Sequence, residues 1–145
     1  MKKEADTSVE LEQLLDAPVE KVWAALTEKE RMKEWYFDLS DFRAEPGFRF
    51  SFPGQGRKGE QYLHQCTVLE VEPQRKLEYS WTYQDQPGYT VLRFTLEPKG
   101  GQTLLKLSHR GLETFPDHPD FAVSSFREGW TMLITQLLPQ YLEKN

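Results

Sequence analysis

The chain has 145 residues, a formal net charge of −5 and a pI near 5.3. That length suits one domain, which buries roughly 68–70% of its unfolded surface without needing staples, and the lone Cys66 excludes an internal disulfide framework. The acidic balance argues against a nucleic-acid partner, and no apolar run approaches the ~20 residues of a membrane span, so a soluble, cytoplasmic domain is expected.

Residues 1–7 are polar and are expected to form a flexible N-terminus, without the apolar stretch of a secretory signal; residues 8–145 are expected to form the single domain. Val9, Leu11, Gln13 and Leu15 alternate with mostly polar neighbours and predict a first strand. Asp16-Ala17-Pro18 stops it. Asp16 or Ala17 suits a helix cap and Pro18 the first helical turn, where a missing N–H costs nothing. Val19, Val22, Trp23 and Leu26 then follow the spacing of one buried helical stripe. Thr27 and Glu30 have capping-box spacing, which predicts a second short helix carrying Met32 and Trp35.

From residue 42 to 111 the period becomes two. Pro46-Gly47 marks a type II turn, and Phe48, Phe50 and Phe52 alternate with Arg49 and Ser51. The segment from Pro53 to Gly59 predicts a flexible hairpin loop. It could move as a lid, but the simpler expectation is a long turn. A strand from about Glu60 to Val71 ends at Pro73. Leu77, Tyr79, Trp81 and Tyr83 alternate with Glu78, Ser80 and Thr82, which predicts a strand buried on one face. Leu92, Phe94 and Leu96 mark the next strand, Pro98 to Gly101 close it, and Leu105, Leu107 and His109 mark the last. Short turns between consecutive strands favour an antiparallel meander. Beyond Pro116 the period returns to 3.6: Phe126, Trp130, Leu133, Ile134, Leu137 and Tyr141 form one apolar stripe, and Pro139 should bend the last turn. The fold class is therefore α+β: a curved antiparallel sheet of about six to seven strands wrapped around a long C-terminal helix, with two short helices after the first strand.

Four stretches carry a family resemblance. The segment Ala17-Pro18-Val19-Glu20-Lys21-Val22-Trp23-Ala24-Ala25-Leu26-Thr27-Glu28, followed by Trp35, resembles the N-terminal signature of the SRPBCC (START-like, birch-pollen-allergen-like) superfamily. More narrowly it is similar to the branch named for the homologue of the heat-shock-protein-90 ATPase activator. Val68 to Pro73 with Arg75 to Trp81 looks like that branch's central hairpin, Leu107 to Leu112 like its last strand, and Gly129-Trp130 with Leu133, Leu137 and Tyr141-Leu142 like its terminal helix. The resemblance covers about residues 8–143. It implies a helix-grip fold with a cavity between sheet and helix. It does not deliver a function, because the superfamily is functionally mixed.

Composition is compatible with such a hollow but does not require it. Four Trp, six Tyr and nine Phe are many for this length and suggest a heavy core or an aromatic-lined pocket. The cavity-lining candidates are Trp23 and Trp35 from the short helices and Phe50, Phe52, Tyr79, Trp81, Tyr83, Phe94, Leu107 and His109 from the sheet. The terminal helix adds Phe126, Trp130, Leu133, Ile134 and Leu137. For the strip Tyr79, Trp81 and Tyr83, core packing and cavity wall both stay open. His109 is either a core-edge histidine bonded to backbone or water, or a polar handle for a ligand.

No catalytic residue is assigned. No HExxH or GxSxG occurs, the glycines at 54 and 56 lack a phosphate-loop ending, and Cys66 sits mid-strand, where it should be inert. His64 and Cys66 share a strand face, but two ligands do not make a zinc site, so neither metal nor cofactor is expected. Glu70 and Glu128 are the carboxylates placed near an inward surface. Three functions remain: a binder of a small apolar or aromatic ligand, a cofactor-independent enzyme using His109, a Tyr or a Glu, and a protein-interaction domain, either chaperone-linked (a partner the sequence does not support) or self-associating through an exposed apolar patch. The first is favoured, and homodimerisation stays open.

Overall fold

The computed structural model describes residues 7–56 and 58–144. Residues 1–6 of the expected N-terminal tail, Arg57 of the expected loop, and Asn145 lie outside them. The Thr7 carbonyl already accepts from the Leu112 N–H at 3.1 Å.

Among the described residues, six strands form one antiparallel sheet. They are β1 Ser8–Leu15, β2 Arg49–Gln55, β3 Gln61–Glu72, β4 Lys76–Tyr83, β5 Thr90–Lys99 and β6 Gln102–Arg110, in the order β1-β6-β5-β4-β3-β2. From β2 to β6 this is the expected meander. β1 departs from it by crossing to the far edge, where Val9 faces His109 and Leu15 faces Thr103. Two helices, α1 Val19–Thr27 and α2 Lys29–Trp35, fill the crossover, and Thr103 Oγ1 donates to the Ala17 carbonyl at 2.8 Å inside the core. A helical segment runs from Val123 to Lys144 across the concave side: α3 Val123–Met132, a π turn Leu133–Leu137 and α4 Leu138–Lys144.

Several local expectations change. Pro18, not Asp16 or Ala17, is the residue before α1; its carbonyl accepts the first helical N–H bonds, and no side chain caps the helix. Thr27 forms no capping box, because its hydroxyl turns back to the Trp23 carbonyl at 2.7 Å and α2 begins only at Lys29. Pro53, Gly54 and Gln55 are not loop: they pair with Leu63, Tyr62 and Gln61 and extend the hairpin. Pro53 is tolerated there because β2 is an edge strand. The strand β4 is not buried on one face only. Glu78 and Ser80 are buried too, Glu78 by both Nε and Nη2 of Arg93 at 2.8 Å, and Ser80 by a hydroxyl that accepts from Thr67 N–H at 3.0 Å. Glu70, expected near an inward surface, lies outside at a register shift after Val68 and pairs with Lys76 at 2.7 Å.

The largest change lies in the terminal helix. An uninterrupted 3.6 period would bury Leu133 and Leu137. In the π turn the Leu138 N–H instead reaches back to the Leu133 carbonyl, five residues away. This widening moves every later side chain back by one position. Leu138 and Leu142 are buried beside Ile134 and Tyr141, while Leu137 is 38% exposed. The turn ends where Pro139 has no N–H to continue it. The proline's effect therefore appears before it, as a widened turn.

Candidate functional site

The deep contact between sheet and helix is filled. Tyr79, Phe94, Leu92, Leu105, Leu107 and Ile134 are at most 1% exposed. Polar groups caught in this layer satisfy one another. Tyr36 and Tyr79 share a hydroxyl hydrogen bond of 2.6 Å, and burial pushes both phenols well above their ordinary range.

His109, fully buried, is fixed in one tautomer by its neighbours. The Trp130 indole N–H donates to Nδ1 at 3.1 Å, so the proton sits on Nε2, which faces Thr90 Oγ1 at 2.8 Å. That hydroxyl passes its own hydrogen to the Trp81 carbonyl at 2.7 Å. Burial lowers the His109 pKa to about 3. Both nitrogens are thus bonded inside the core to side chains, where the core-edge alternative expected backbone or water.

The filling stops toward the N-terminal half of the long helix. There a cleft of about 460 Å³ opens between α3, the β2–β3 hairpin and the end of β4. Its floor is Trp81, packed edge to face on Trp130 at 5.3 Å and on His64 at 5.0 Å. Phe37, Tyr83, Phe121 and Phe126 add aromatic walls, and Gly129, Met132 and Leu133 of the helix form the opposite lip. Alternation along β4 points Trp81 and Tyr83 the same way, and helical spacing places Phe126, Gly129, Trp130 and Leu133 on one side of the helix.

Most of the lining surface is apolar, with the polar side chains of Gln55, His64, Tyr83, Asp120, Ser125 and Glu128 among it. The Trp81 indole N–H donates to the Tyr83 hydroxyl at 3.0 Å, which leaves the Tyr83 O–H hydrogen unassigned. His64 lies flat on Phe52 with ring centres 4.2 Å apart, and its Nδ1 donates to the Phe52 carbonyl at 3.1 Å. A carbonyl can only accept, so Nδ1 carries the proton and Nε2 keeps a lone pair. Burial lowers the His64 pKa to about 4 and raises the Tyr83 phenol, so both are neutral near pH 7. Gly54 makes this seat for His64: a Cβ there would lie 2.5 Å from Cε1 of the imidazole.

The mouth is narrowed by a bridge. Tyr62 Oη on β3 donates to Asp120 Oδ2 at 2.7 Å, linking the hairpin to the single turn Pro119–Phe121. Burial and this bond push the Tyr62 phenol up to about 12. A side chain at Gly56 would collide with the Asp120 carboxylate. Glu60, His118 and Asp120 bring potential ligand atoms within 4.8 Å of one another. His118 Nδ1 already accepts from the Asp120 N–H at 3.0 Å.

The candidates thus divide. Trp81, Tyr83, Phe126, Trp130 and Leu133 line the cleft. Phe50, Phe52, Tyr79, Phe94, Leu107, His109 and Ile134 are buried in the surrounding core. Trp35 is buried under α1 with its indole N–H on the Ala25 carbonyl at 2.9 Å, Trp23 packs half-buried at the core edge, and Leu137 faces outward. Glu128 is at the rim. Phe37, Tyr62, His64 and Phe121 were not among the candidates. His64 and Tyr62 continue the strand alternation that marks β3, so that signal was present; Phe37 sits in an irregular segment and Phe121 ends the single turn Pro119–Phe121, which is too short to show a period. Cys66 is buried with its thiol pKa pushed up, as an inert residue requires.

Residues 16–143 match the family described as Activator of Hsp90 ATPase homolog 1-like protein. Among solved structures, protein MLL2253 from Mesorhizobium loti is 29% identical, with a TM-score of 0.73 over 95% of this chain and 98% of that one. CalU16 from Micromonospora echinospora is also 29% identical, with a TM-score of 0.72 over 93% of this chain and 75% of that one. DynU16, a protein of the dynemicin biosynthetic locus, is 25% identical with a TM-score of 0.76 over 95% of this chain and 48% of that one, so this chain spans about half of its length. No protein of curated function matches the sequence. Among the described residues no helix is long and apolar enough to cross a membrane.

Proposed function

We propose that this chain, which belongs to the Activator of Hsp90 ATPase homolog 1-like family and has the helix-grip fold, binds a small apolar or aromatic molecule in the cleft beside α3. The observation that carries this is the location of the hollow. Packing is tight over most of the sheet–helix contact, yet about 460 Å³ stays open where Trp81, Trp130, Tyr83, Phe37, Phe121 and Phe126 converge. That volume lies within the usual range of small-molecule pockets, and flat rings with few polar atoms favour a flat, apolar guest. Family membership supports a ligand-binding domain, and similarity to a protein of a biosynthetic locus is in keeping with a small-molecule role. Neutral His64 and Tyr83 fit retention more than acid–base chemistry, and His109 is closed off in the core. Cytoplasmic residence remains part of this reading.

The test is native mass spectrometry of the purified protein with Trp fluorescence titration against fatty acids, flavonoids and polyketide-like aromatics. Trp81 and Trp130 lie in the cleft wall, so occupancy should change their emission. Gly129→Leu supplies the control. Nothing lies within 4 Å of a Cβ at that helical position, so the leucine should fill the cleft in a folded protein. Saturable binding lost in Gly129→Leu supports the proposal; no response in the wild type across the panel overturns it.

A further inference from the structure

Two atoms of the cleft have hydrogen-bonding capacity that the protein does not use. His64 Nε2 keeps a lone pair because the Phe52 carbonyl holds the proton on Nδ1. Among the described residues no fully enclosed side-chain polar atom lacks a partner. Nε2 has no partner and His64 lines the cleft, so Nε2 opens onto it. Tyr83 is complementary. Its oxygen accepts from the Trp81 indole, and no acceptor takes its hydrogen. The two rings are neighbours, with centres 4.7 Å apart, and no hydrogen bond joins them.

From this pairing we infer that the cleft recognises an uncharged, flat molecule whose edge carries a hydrogen-bond donor beside an acceptor, the donor bonding His64 Nε2 and the acceptor taking the Tyr83 hydrogen. Lactams and related cyclic amides have that edge. The inference rests on reading the cleft as a small-molecule site and adds its selectivity. Selectivity of this kind is steep because an apolar guest leaves both atoms unpaired in a desolvated place. The geometry is prearranged: Gly54 leaves room for the imidazole edge, Phe52 holds the ring face, and Trp81 fixes the phenol oxygen. A carboxylate guest meets a lone pair at His64 and is disfavoured.

Equilibrium dialysis with three flat bicyclic probes tests it. 2-Quinolone has adjacent N–H and C=O; coumarin replaces the N–H with oxygen and keeps the carbonyl; naphthalene has neither. The expected order is 2-quinolone tighter than coumarin by about tenfold, and coumarin tighter than naphthalene by a similar factor. In His64→Phe the quinolone–coumarin gap should close while the coumarin–naphthalene gap stays. In Tyr83→Phe the reverse is expected. Equal affinity of the three for the wild type, or gaps unchanged in both variants, overturns the inference while leaving apolar-ligand binding intact. Failure of all three to bind, when members of the broader panel do bind, also overturns it. Silence of probes and panel together overturns the small-molecule reading as well. The probe comparison in the wild type holds even if one variant fails to fold.

Discussion

The indole N–H of Trp130 on the long helix donates to Nδ1 of His109 on the last strand at 3.1 Å, and this single bond ties the helix to the sheet while fixing the imidazole's tautomer. Trp130→Phe keeps most of the ring volume and removes the donor, leaving a buried acceptor unpaired. The expected loss of stability is about 1–3 kcal/mol, read by urea denaturation. A loss near zero would mean that the bond contributes nothing beyond ring packing.

The two buried histidines give the protein an acid-sensitive fold. Both have folded-state pKa values below the ordinary 6.5, about 3 for His109 and about 4 for His64. Between those values and 6.5 the unfolded chain holds protons that the native state does not, so stability falls as pH falls through that window. Each group contributes roughly 1.4 kcal/mol per pH unit there. Denaturation midpoints should therefore drop between pH 6.5 and pH 5, before most carboxylates titrate. A flat profile over that range would contradict the burial of both rings.

Glycines 54 and 129 should respond to alanine in opposite directions. At Gly54 the added Cβ lies 2.5 Å from the His64 ring. His64 must then leave its seat on Phe52 and lose its carbonyl bond, at a cost of about 1–3 kcal/mol. At Gly129, inside α3, there is open space, and alanine should stabilise the helix by about 0.5–1 kcal/mol. Thermal unfolding of the two variants decides both signs.

The π turn predicts a reversal between adjacent leucines. Leu138 is fully buried and Leu137 is 38% exposed. Leu138→Ala should cost about 2–5 kcal/mol, and Leu137→Ala well under 1. A larger loss at Leu137 would restore the uninterrupted 3.6-residue register.

On the outer face of the sheet, Glu78 is buried with Nε and Nη2 of Arg93 both at 2.8 Å from one carboxylate oxygen. Arg93→Met leaves that carboxylate without its cation and should cost about 1–3 kcal/mol, reduced from a fully enclosed pair because the arginine is partly exposed. Glu78→Gln/Arg93→Met together should recover part of the loss. Additive losses in the double variant would show that the two side chains are not coupled.

Most of the fold was legible because the chain's periods are clean. Alternation placed the centres of β4 to β6, though Pro98 and Lys99, expected in the closing turn, are still paired in β5, and the helical stripe placed the long helix. Three features could not be read that way. The pairing of β1 with β6 is a choice between edges, which a local pattern does not encode. The π turn begins six residues before the proline linked to it, so Leu137 looked buried when Leu138 is. Phe37 reaches the cleft from an irregular segment and Phe121 from a single helical turn. The site was legible where it is made of regular elements, as at Trp81, Tyr83, Phe126, Trp130 and Leu133. His109 shared the pattern of a lining residue, and only the indole of Trp130 beside it shows why it belongs to the core.

The β1–β6 pairing also imposes an order of events during synthesis. Val9 emerges about 100 residues ahead of its partner His109, a gap of about 5–20 s at ordinary elongation rates. Through that interval β1 carries unpaired backbone groups and half of an apolar seam with nothing to cover it. The β2–β5 meander can pair as it is made, but closure waits for β6, and the helix that seals the concave face comes later still. The nascent chain is therefore most exposed to misassociation while its middle is already structured.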